Sequence, residues 1–78
     1  MKRNKVVKRK SQHVIPVGNA WAVKGEGNTR FTLITDNKKD AVAFAKEIAK
    51  NNNSDLFVHG KNGEIIESNS YAKKIHSN

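Results

Sequence analysis

Apolar and polar residues alternate early in the chain and recur at helical spacing in its middle. His13-Val14-Ile15-Pro16-Val17 is rich in β-branched residues and stops at Gly18-Asn19, a dipeptide suited to the positive φ angles of a tight hairpin. With those two as the loop, Val17 faces Ala20, Pro16 faces Trp21 and Val14 faces Val23. That register puts Val14, Pro16, Trp21 and Val23 on one face, the predicted core side. Pro16 has no N–H to give a central ladder, so the first strand is predicted at a sheet edge. Gly25-Glu26-Gly27-Asn28 forms the next turn, and residues 29–35 the third strand, with Phe31 and Leu33 on one side.

The middle of the chain predicts a helix. Asn37-Lys38-Lys39-Asp40 has the form of an N-cap with an acid at the third helical position. Ala41, Phe44, Ala45 and Ile48 then recur at three- and four-residue spacing as one apolar stripe, widened by Val42 and Ala49. Lys39, Lys46 and Lys50 fall on the opposite face, and Asn51-Asn52-Asn53 supplies a residue type that tolerates the left-handed helix stop. Leu56-Phe57-Val58-His59 and Glu64-Ile65-Ile66-Glu67 read as two more strands around the hairpin signal Asn62-Gly63. The order β-β-β-α-β-β predicts an α+β fold, a single small antiparallel-type sheet with one helix packed on one face. The domain is expected over residues 12–72, between a disordered arm at 1–11 and a flexible tail at 73–78.

Charge changes that picture. The 78 residues carry 15 Lys+Arg against 7 Asp+Glu, a formal net charge of +8. Six of those cations (Lys2, Arg3, Lys5, Lys8, Arg9, Lys10) lie in the first ten residues with no acid among them. Residues 12–72 hold seven bases and seven acids, so the body is neutral, and Lys73 and Lys74 complete the total. A block of like charge repels itself and buries almost nothing, which is why the arm is read as disordered. Cysteine is absent, which excludes disulfides, thiolate zinc sites and cysteine nucleophiles. The longest apolar run, 41–45, is far short of the ~20 residues of a spanning helix. A soluble, cytoplasmic protein is expected.

His13-Val14-Ile15-Pro16 followed by Gly18-Asn19-Ala20-Trp21-Ala22-Val23-Lys24 is similar to the opening of a family of small bacterial and phage proteins catalogued as domain of unknown function 2188. The resemblance continues through Asp40-Ala41, Ala45, Ala49, Leu56, Val58-His59-Gly60, Gly63, Ile65 and Ser70-Tyr71, covering about residues 13–71. It implies a compact strand–strand–helix–strand–strand unit in the bacterial cytoplasm and carries no activity. The basic arm lies outside it.

Candidate chemistry is sparse. His13 and His59 both fall on strands, but two imidazoles without cysteine or a suitably spaced carboxylate are too few for zinc, so no metal is expected. Gly25-Glu26-Gly27 is followed by Arg30 and another strand rather than by a helix, which makes it a turn and not a phosphate loop. No serine has a base and an orienting group in a local motif, and a thin core leaves little room for a deep pocket. The chain is therefore expected to be non-catalytic, with no cofactor, small-molecule substrate or membrane partner. Trp21 and Phe44 read as core; Phe57, alternating with Leu56 and Val58, is the aromatic free to do something else.

Two functions follow. The first is nucleic-acid binding through backbone phosphates, carried by Lys2, Arg3, Lys5, Lys8, Arg9 and Lys10 and supported by Lys39, Lys46 and Lys50. The second is a protein-interaction or inhibitor/adaptor module that uses an unpaired strand edge or an exposed sheet face of Ile15, Ala22 and Phe57.

Overall fold

The computed structural model describes residues 10–71. Five strands and one helix follow the predicted order: β1 (Gln12–Val17), β2 (Ala20–Gly25), β3 (Leu33–Thr35), α1 (Lys38–Asn52), β4 (Asp55–His59) and β5 (Ile65–Ser70). They build one sheet in the order β3-β2-β1-β4-β5, with α1 on one face. The β1–β2 hairpin has the predicted register, Val17 opposite Ala20 and Val14 opposite Val23. Of the two loop residues Gly18, and not Asn19, takes a positive φ, of 60°, as in hairpin loops that place glycine first.

The sheet is mixed rather than wholly antiparallel. β3 and β1 both run against β2; α1 then carries the chain back across the sheet, so β4 starts at the same end as β1 and pairs with it in parallel. This places β1 in the centre, not at the edge that Pro16 suggested. The β1–β4 ladder spans only Gln12, His13 and Val14, and Pro16 lies beyond its last pair, where a missing N–H costs no ladder bond to β4.

The helix is capped as its sequence predicts. The Asn37 side chain accepts a hydrogen bond from the Asp40 N–H at 2.9 Å, and Asn53 ends the helix in the left-handed region at φ 54°. Ala41, Ala45 and Ala49, one turn apart, are fully buried against Val14, Val23, Leu56 and Val58. Their small side chains bring the helix close to the sheet, and Leu56 is the largest side chain wholly enclosed. Phe44 is not part of that core. One residue from Ala45 it points about 100° round the helix, and it keeps 38% of its surface exposed. Trp21 is half-buried, packed against the core from the helix side with the Lys38 ammonium 5.6 Å above its ring.

Two strand boundaries also moved. β3 is three residues long, and Phe31, predicted within it, is 40% exposed in the preceding loop. β5 runs on to Ser70, after which the Tyr71 N–H donates to the Ser54 carbonyl at 3.0 Å and its ring joins the core margin.

Candidate functional site

The strand alternation that sends Val14, Val23, Leu56 and Val58 towards α1 sends their neighbours to the opposite face. No described element covers that face. Two side-chain rows cross it. Ile15, Ala22 and Ile34 form an apolar row over β1, β2 and β3. Lys24, His13, Phe57 and Ser68 form a second over β2, β1, β4 and β5. Ile34 is the exposed member of the first row at 56%, whereas Ala22, expected at the surface, has no exposed area. A methyl group between two isoleucines is overtopped by both.

The second row holds a built cluster. His13 and Phe57, partners across the parallel ladder, stack with ring centroids 5.3 Å apart and planes 25° from parallel. His13 Nδ1 lies 2.9 Å from His59 Nε2, while its Nε2 meets the Glu26 carboxylate. His59 Nδ1 in turn faces the Gly63 carbonyl at 3.4 Å. The hydrogen bond from His13, and secondly its charge, hold the Glu26 carboxyl below the ordinary carboxylate range. The two histidines that fall on separate strands thus meet each other, 46 residues apart in sequence. Among the described residues no group of three or more His, Asp or Glu is arranged to hold a metal ion.

The basic candidates sort by the ends of the sheet. Lys2, Arg3, Lys5, Lys8 and Arg9 lie outside the described residues. Lys10 is exposed, its ammonium donating to the Asn28 side chain at 2.7 Å. Gln12, Leu56 and Asn69 share one cross-strand row, so the chain enters β1 and leaves β5 at the same end, two strand spacings or about 10 Å apart. The helix finishes there too, bringing exposed Lys50 to this end, and the loop after β2 brings exposed Arg30. Lys39 stands at the other end of the helix, about 16 Å from Lys50, with Lys46 between them. Lys39, Lys46 and Lys50 are all exposed, but of these only Lys50 joins the end where β1 begins and β5 finishes.

Residues 12–71 match the family described as "Uncharacterized protein conserved in bacteria (DUF2188)". A relative, the "Uncharacterized protein YdaT" of Bacillus subtilis (strain 168), is 43% identical over 56 residues. That alignment takes in 72% of this chain and 37% of the relative's length. No solved structure matches the chain. No helix among the described residues is long and apolar enough to cross a membrane.

Proposed function

Because the chain belongs to this family of uncharacterized proteins conserved in bacteria, whose description assigns no activity, we propose a function from the chain's own charge and topology: a non-catalytic, cytoplasmic protein that binds nucleic acid through backbone phosphates. One observation carries the reading. The register starts β1 and ends β5 at one end of the described body, the end that also carries Arg30 and Lys50. It is from these two strand ends that the sequence runs on to its basic segments, the six cations of residues 1–10 and Lys73 and Lys74. Among the carboxylates near that end, Glu26 is engaged by His13, Asp55 opens β4 and Glu47 stands one turn before Lys50 on α1. Positive charge gathered at one end of a small body is suited to a polyanion, where each phosphate contact releases counterions. Lys39, at the far end of the helix, is a weaker candidate than sequence spacing alone made it.

The test is binding of the whole chain to labelled DNA and RNA oligonucleotides, compared with a chain lacking residues 2–10. Loss of about a hundredfold or more at low salt is expected from removing six phosphate-binding charges. Equal affinity with and without the segment would contradict the proposal.

A second reading, a protein-interaction module, is favoured by a different observation. Ile34, 56% exposed beside half-buried Ile15 on an uncovered face, is a larger apolar surface than Ile15, Ala22 and Phe57 suggested. Binding of that kind persists in high salt, where phosphate binding fails.

A further inference from the structure

We infer that the uncovered sheet face takes part in binding and that the ligand is single-stranded: an unpaired base stacks on Phe57 in the slot above Ser68. This rests on the nucleic-acid reading above and adds to it the form of the ligand. Leu56 and Val58, the neighbours of Phe57 along β4, are fully buried on the helix side, so Phe57 is not needed by that core. It stands on the bare face with His13 stacked against one side of its ring. Its cross-strand partner on the other side is Ser68, an exposed residue of the edge strand too short to cover a phenyl ring. One ring face is thus open, and the ring is fixed from behind. His13 is held at one nitrogen by Glu26 and at the other by His59, whose ring centroid lies 5.1 Å away. A pre-positioned aromatic loses little conformational freedom when a ligand arrives.

Two cations stand on the His13 side of the slot. Lys24 ends the row on the β2 side, and Lys10 lies three residues before His13, about 10 Å along the strand. Of the carboxylates beside the rings, Glu26 is turned to His13 Nε2, and Asp55 stands two residues before Phe57 on the same face of β4. In a duplex, base faces stack on one another and cannot reach a sheet; a single strand offers them to an aromatic side chain while its phosphates meet the cations.

Fluorescence anisotropy with labelled single strands of about 12 nucleotides, DNA and RNA, and with duplexes of the same length tests this on the whole chain. Wild type is expected to prefer the single strand by on the order of tenfold, the worth of a stacked base. Phe57→Leu keeps an apolar side chain without the π-face and should lose the preference, while Phe57→Trp should keep it. Ser68→Leu, on an exposed edge position where folding is not at stake, should fill the slot and lose the preference as well. Affinity for duplex should be unchanged in all three. A wild type that binds duplex as tightly as single strand, or variants that bind single strands like wild type, would overturn this inference and leave phosphate binding by the basic segments standing. A wild type that binds neither form would overturn both.

Discussion

His13 is bound on three sides, by Phe57, His59 and Glu26. An ionised carboxylate only accepts, so His13 Nε2 carries a proton towards Glu26. The 2.9 Å contact from His13 Nδ1 to His59 Nε2 then holds the second nitrogen of the ring. Glu26 is exposed, and its lowered pKa stabilises the fold only modestly. That contribution is present above the ordinary glutamate value of 4.5 and is lost as pH falls through the lower folded value. Carbon-13 NMR of the Glu26 carboxyl should show a midpoint below 4.5 in the wild type, moving back towards it in His13→Phe, which keeps the ring stack and removes the donor. An unchanged midpoint would mean that His13 is not the cause. Alternation put both histidines on strands, but their contact depends on the parallel register of β1 and β4. Nothing local in a sequence encodes a pairing between segments so far apart.

At the scale of the element, the helix was the most legible part of the chain. Its caps at Asn37 and Asn53 and its span follow from local chemistry, which a sequence states directly. Which part of the apolar stripe faces the sheet was less legible, because spacing gives an arc and not its centre. The centre is the alanine line, so Phe44→Ala is expected to cost under about 1 kcal/mol, whereas Leu56→Ala should cost ~2–5 kcal/mol. Ala45→Leu forces extra volume between helix and sheet and should cost ~1–3 kcal/mol. Asn37→Ala removes the bond to the Asp40 N–H and should cost ~1 kcal/mol. Urea denaturation of the four variants checks the order; a Phe44→Ala loss as large as that of Leu56→Ala would move the core to the other side of the helix. Trp21, half-buried, should cost less on truncation than the full burial of an indole implies.

At the scale of the whole molecule, fold class and element order were readable, and the strand order was not. Pro16 argued locally for an edge, but a central strand accommodates it because the ladder to β4 is only three residues long. The same strand order, invisible in the sequence, brings the entry to β1 and the exit from β5 to one end of the sheet. Binding by six arm cations has a quantitative signature. The logarithm of affinity for duplex DNA should fall against the logarithm of salt with a slope near about −5, and for a single strand near about −4. That slope, measured on the whole chain and on a chain lacking residues 2–10, tests the central claim most directly. The account predicts a slope of this size that collapses towards zero on deletion, with the body still folded. A slope near zero in the whole chain, or one that survives the deletion unchanged, would contradict it.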